Sequence, residues 1–117
     1  MAAVNRIYDL YGSRNLDASA LCAEISTRSG LRFVLHSSSY VGDYYRAEDV
    51  DAGLVWTIRP NMLDDEDGPF LYLPDYPEVQ VLVQIGAERG GDSLTALDNI
   101  RAAVEQIVGV SFLGRKS

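Results

Sequence analysis

The chain reads as a single α+β domain spanning residues 1–117, an antiparallel or mixed sheet of about five strands with two helices packed on one face. Three observations predict this. Apolar and polar residues alternate over 31–36, 54–59 and 79–85. Two stretches, one opening at Asp17 and one near Asp92, carry apolar residues at helical spacing. The resulting order of strand, helix, several strands, helix and tail contains no repeat and no linker.

Taken in order, residues 6–11 are aromatic and β-branched and stop at Gly12, as a short first strand does. Asp17 then caps a helix, with Leu16 and Leu21 at the spacing of a hydrophobic staple; Leu21, Cys22 and Ile25 face inward and Gly30 terminates it. In the second strand Leu31, Phe33 and Leu35 point to the core, with Arg32, Val34 and His36 opposite, ending in the serines 37–39. Gly42-Asp43 reads as a turn, Tyr44-Tyr45-Arg46 as a short strand, and Glu48-Asp49-Val50-Asp51 as an acidic turn. Leu54, Trp56 and Ile58 alternate inward until Pro60 removes a backbone donor.

Residues 64–69 have no apolar side chain to bury and read as a solvated loop, before Phe70-Leu71-Tyr72-Leu73 returns to extended structure. Pro74 and Pro77 frame a turn, and Val79, Val81, Val83 and Ile85 mark the central strand. Gly90-Gly91 with an Asp92 or Ser93 cap opens the second helix, striped by Leu94, Leu97, Ile100, Val104, Ile107 and Val108 and closed by Gly109. Residues 110–113 form an edge strand or packed tail, and Arg115-Lys116-Ser117 frays.

Composition removes much familiar chemistry. A single Cys22 and a single His36 exclude an internal disulfide, a redox pair and a Cys/His zinc set. The early charges Arg6, Asp9, Arg14 and Asp17 leave no apolar core for a secretory signal, and no stretch has the length of a membrane helix, so a cytoplasmic protein is expected. The net charge of -7 opposes direct nucleic-acid binding.

Candidate catalytic motifs are thin. His36 with Ser37–Ser39 and Asp43 supplies the residue types of a hydrolytic triad, but neighbours on a strand point to opposite faces. Asp64-Asp65-Glu66-Asp67-Gly68 resembles the start of a calcium loop, yet with Gly68 at the sixth position the first and twelfth are Leu63 and Pro74, which supply no side-chain oxygen. Gly90–Ser93 lacks a lysine and the spacing of a phosphate loop, and Cys22 falls on an inward helix face. No enzyme activity, cofactor or metal is expected.

Charge position carries the functional reading. Between Asp43 and Glu78 ten acids face two arginines, while the remainder of the chain is almost neutral. The same region, with Tyr40 just ahead of it, holds seven of the eleven aromatic residues. Carboxylates beside tyrosines suit a lysine- and arginine-rich partner, since acids pair with the cations and rings stack on guanidinium groups. Asp43, Tyr44, Tyr45, Asp64, Asp65, Glu66 and Asp67 are the expected contacts, followed by Glu48, Asp49, Asp51 and Tyr72.

The size, the acidity and the segments Tyr8-Asp9-Leu10-Tyr11-Gly12 and Ser39-Tyr40-Val41-Gly42-Asp43-Tyr44-Tyr45-Arg46 resemble small bacterial immunity proteins of contact-dependent or polymorphic toxin systems. The resemblance implies an immunity protein that binds one cognate toxin domain, and the acidic, tyrosine-rich region adds the expectation that this domain is a basic nuclease whose active-site cleft it covers. The alternative is a structural or homo-oligomeric interaction domain without catalytic activity, pairing through outward Val34, Val55 and Leu82. A third reading centres a small enzyme or ligand site on His36 and Tyr40.

Overall fold

The computed structural model describes residues 7–38, 42–87 and 92–116. In chain order these form β1 (Ile7–Ser13), α1 (Ala18–Ser29), β2 (Val34–Ser38), β3 (Gly42–Asp49), β4 (Leu54–Pro60), β5 (Met62–Asp65), β6 (Gly68–Leu71), β7 (Val81–Ala87), α2 (Asp92–Glu105) and β8 (Val110–Lys116). Six strands make one antiparallel sheet in the order β2-β3-β4-β7-β1-β8, and β5 and β6 pair apart as a hairpin. The fold is thus α+β with more strands than the alternating runs alone predict.

α1 forms where its local signals place it. The Asp17 carboxylate accepts from the Ala20 N–H at 2.7 Å, and Gly30 closes the helix at φ 75°, where a side chain would be strained. Leu21, Cys22 and Ile25 bury against β3 and β4, while α2 packs across β7, β4 and β8. One apolar layer therefore joins both helices to Tyr11, Trp56, Ile58, Val83 and Ile85 on the inward-pointing positions of the strands. Among the described residues no helix is long and apolar enough to cross a membrane.

The opposite sheet face carries a second, smaller core. Leu10 and Leu82 lie there, covered by Leu73, Tyr72, Tyr76 and Val79 from the segment between β6 and β7. Asn61 fastens that segment, and every one of its polar groups is engaged. Its side-chain amide donates to Tyr76 O (2.9 Å) and Val79 O (3.0 Å), and its Oδ1 accepts from Leu73 N–H (2.9 Å). Its backbone donates to Gln80 O and accepts from Tyr72 N–H. Gly12 makes room for the same segment, because a Cβ there would stand 2.7 Å from Val79 Cγ1.

Several expectations are corrected. β1 runs through Gly12 to Ser13, because the close approach of Val79 requires glycine there without ending the strand. Gly42 and Asp43 open β3 rather than forming a turn. The acidic stretch is a hairpin, not a loop: Met62-Leu63 pairs with Phe70-Leu71, Leu63 is buried, and Glu66-Asp67 makes the two-residue connection before Gly68 at φ 111°. Leu35 is 53% exposed because β2 is the sheet edge, beyond the layer that α1 covers over β3 and β4. Val108 is 89% exposed since α2 ends at Glu105, so helical spacing no longer directs it inward.

The tail does not fray at Arg115 and Lys116, which belong to β8. Asp9 is fully buried and takes two hydrogen bonds from Arg115, at 2.6 and 3.1 Å, and Arg115 also reaches Asp98 on α2 at 2.7 Å. These bonds hold the Arg115 pKa above its ordinary value. The expected Gly90-Gly91 turn, and the side-chain cap at Asp92 or Ser93, lie outside the described residues.

Replacing Asn61 by alanine strands one buried and two partly buried backbone groups, and a loss of about 3 kcal/mol is expected in urea denaturation followed through Trp56 fluorescence. A loss below about 0.5 kcal/mol contradicts the role given to Asn61. Burial pushes both Tyr11 and Cys22 up to about 12. Their folded pKa values exceed the unfolded ones, so stability is intact below the unfolded values and falls as pH rises from about 9 towards 12. Tyr11→Phe also removes a buried hydroxyl without a partner, and is expected to keep or raise stability at neutral pH and to flatten the alkaline loss. An unchanged alkaline profile refutes this.

Candidate functional site

The acidic residues predicted to act together fall at two ends of the sheet. Asp43 is the second residue of β3 and Asp49 its last, about 20 Å apart at strand rise. Glu48, Asp49 and Asp51 accordingly sit at the turn joining β3 to β4, where Glu48 pairs with Arg46 at 2.6 Å and Asp49 accepts from Ala52 N–H. The hairpin of β5 and β6 continues from the far end of β4, and a Cβ on Gly42 would lie 3.8 Å from Leu63 Cδ2. Asp64, Asp65, Glu66 and Asp67 therefore share the end of the sheet with Asp43 and Tyr44, Asp65 being placed by its backbone alone.

Strand alternation also divides the tyrosines. Tyr45 is half-buried against the helix-side core, while Tyr44 points to the other face. There, His36 stacks on Tyr44 with ring centroids 5.4 Å apart, and the Arg59 guanidinium lies 5.0 Å from the Tyr44 ring and 4.6 Å from the Tyr72 ring. β2, β3, β4 and the segment after β6 thus contribute one ladder, His36–Tyr44–Arg59–Tyr72, running across the sheet. Arg59 was absent from the sequence expectation. Its outward parity on β4 was legible, but its two stacking partners depend on register and on the Asn61-fastened segment.

The electrostatics at this end are one-sided. Asp64 and Glu66 are exposed and, among the described residues, no cation lies within 4 Å of either. Asp43 accepts from the Ser37 hydroxyl at 2.8 Å. Arg59, the nearest cation in the ladder, is held by two rings and its Nε is buried without a partner. Carboxylates at this end can therefore receive a cationic side chain from outside, beside tyrosine faces.

Other chemistry finds little geometry. His36 and the Ser37–Asp43 pair lie on opposite faces of the sheet, so they form no triad. Among the described residues no three His, Cys, Asp or Glu side chains are grouped to hold a metal ion. Cys22 is buried and its thiol is pushed up to about 12, which keeps it protonated near neutrality. An open cleft of about 300 Å³ on the outer sheet face is lined by Tyr8, Arg46, Val55, Thr57, Gln84 and Gly86. Its one cation in that set, Arg46, is already paired with Glu48. Tyr40, the centre of the third sequence reading, lies outside the described residues.

The outward apolar face expected to pair with a second copy is also corrected. Leu82 is fully buried beneath Tyr72 and Leu73, and Val55 is half-buried, which leaves Val34 alone of the three strongly exposed. Comparison with protein-family models and with curated proteins finds no match for the chain.

The ladder is testable without a partner. A double-mutant cycle between Arg59→Gln and Tyr72→Leu in chemical denaturation is expected to give a coupling of about 1 kcal/mol. A coupling indistinguishable from zero would show that the two side chains do not stack in solution.

Proposed function

We propose that this protein is a non-catalytic inhibitor of the immunity type, which binds a cognate basic toxin domain, a nuclease in our reading, and covers its active-site cleft. The observation that carries the reading is the uncompensated acidic end of the sheet. Asp43, Asp64 and Glu66 lie at the same end of the sheet as Tyr44, Asp43 on the opposite face from its ring, and among the described residues no cation lies within 4 Å of these three acids. Such a cluster repels itself and is relieved by a cationic surface, which it also attracts at long range. A cationic nuclease cleft, built for phosphates, has the matching sign. The resemblance of residues 8–12 and 39–46 to immunity proteins supports the same reading. Asp67 and Tyr72 belong to this contact set by position. Glu48, Asp49 and Asp51 do not, because the length of β3 separates them from it.

The decisive experiment couples capture to neutralisation. The purified protein retains a basic partner from its native lysate at moderate salt, and that partner, toxic when produced alone, is silenced by co-production. Asp64→Lys with Glu66→Lys slows association and weakens its salt dependence, Tyr44→Ala chiefly raises the dissociation rate, and Asp51→Lys changes neither. Recovery of only a salt-sensitive mixture, or equal effects from both ends of β3, would overturn the reading.

A further inference from the structure

Among the described glycines, Gly86 stands apart. The others sit at positive φ or, as Gly12 does, where a Cβ would strike a neighbour. Gly86 has neither reason. It lies inside β7, between β4 and β1, and a Cβ there would meet only Val55 O, at 3.9 Å. A glycine in the interior of a central strand costs stability and leaves a bare patch of backbone where another molecule can approach closely. Tyr8, its cross-strand partner, does not fold over the patch, since no atom of its ring comes within 4 Å of where that Cβ would stand.

The patch is the floor of the open cleft of about 300 Å³ on the outer sheet face. Register builds its walls. Val55 and Tyr8 flank Gly86 in one row across the sheet, and Arg46, Thr57 and Gln84 form the next row. Rows on one face are about 7 Å apart and strands about 4.8 Å apart, so the floor is about one six-membered ring wide. The Tyr8 hydroxyl, the Thr57 hydroxyl and the Gln84 amide make no hydrogen bond among the described residues. Each of these groups both donates and accepts. Arg46 is met by Glu48 at 2.6 Å, so the charge that lines the cleft is already balanced.

We propose that this cleft binds one pyranose ring of a neutral saccharide over Gly86. A charged ligand would have to part the Arg46–Glu48 pair, which favours a neutral one. Ring hydroxyls donate and accept in any order, as the three free wall groups do, whereas a nucleobase edge presents a fixed pattern. The apolar C–H face of the ring covers the floor made by Gly86 and Val55, and a side chain at position 86 would occupy that space. Few polar groups around an apolar floor are the ordinary makings of a small-ligand site. The cleft lies towards the β3–β4 turn, away from the acidic hairpin, and does not rest on the proposed inhibitor function.

Amide NMR of the intact chain, titrated with the methyl glycosides of glucose, galactose, mannose and N-acetylglucosamine, tests this. At least one binds with millimolar affinity, as small ligands in open clefts do, and shifts the amides of Tyr8, Thr57, Gln84 and Gly86 while those of Asp64 and Glu66 stay in place. A trisaccharide of the preferred sugar that binds more tightly marks a glycan chain as the source, and equal affinity marks a free sugar. Gly86→Ala raises the melting temperature by about 3 °C, because its Cβ has room. Gly86→Val weakens binding roughly tenfold or more with native circular dichroism, and Gln84→Ala weakens it about fivefold. No shift at these amides with any of the glycosides, stronger shifts with adenosine or acetate, or a Gly86→Ala variant less stable than the natural chain would overturn the proposal.

Discussion

Asn61 is the point on which the outer half of this protein depends. A fully buried amide is costly unless every polar group is met, and here five hydrogen bonds meet them all. Those bonds convert a long excursion, from the end of β4 through the acidic hairpin and back to β7, into a fixed part of the sheet. Leu73 and Tyr76 can then cover Leu10 and Leu82, and Tyr72 reaches Arg59. Without that anchor the hairpin would hang from β4 by a flexible return, and its carboxylates would hold no set position relative to Tyr44.

The two sheet faces are stabilised by different means. The helix side is a continuous apolar layer, in which tight packing and area removed from water dominate. The one buried acid among the described residues, Asp9, is tolerated because Arg115 supplies a bidentate partner, and the same arginine ties β8 and α2 to β1. The outer face has a small core over β1 and β7 and an aromatic–cation ladder over β2 to β4. That division leaves the β2 edge and the acidic hairpin outside both apolar cores.

Local signals were the ones readable from the residues. The Asp17 cap, the Gly30 terminator and the inward trio of α1 all act within a few positions, and the alternation of β7 reports a strand buried on both sides. Pairings across the chain were not readable. Asp9 and Arg115 are 106 positions apart, so Arg115 looked like part of a loose tail. The hairpin was hidden because Asp64 to Asp67 masks two apolar pairs, Met62-Leu63 and Phe70-Leu71, that meet only when the chain folds back. Asn61 had no sequence signal, since its partners are backbone atoms 12 to 18 residues away. The acids looked like one face because they are near in sequence, whereas β3 carries them to two ends.

A preformed acidic end requires that the segment after the hairpin be as firmly held as the sheet itself. Native-state hydrogen exchange measures this directly, at the amides of Asn61, Tyr72 and Leu73, whose acceptors are Gln80 O, Asn61 O and Asn61 Oδ1. Protection comparable to that of β7 amides is the predicted result. Exchange at the rate of open loops, with β4 and β7 still protected, would contradict the account, because the hairpin would then be tethered and not fixed.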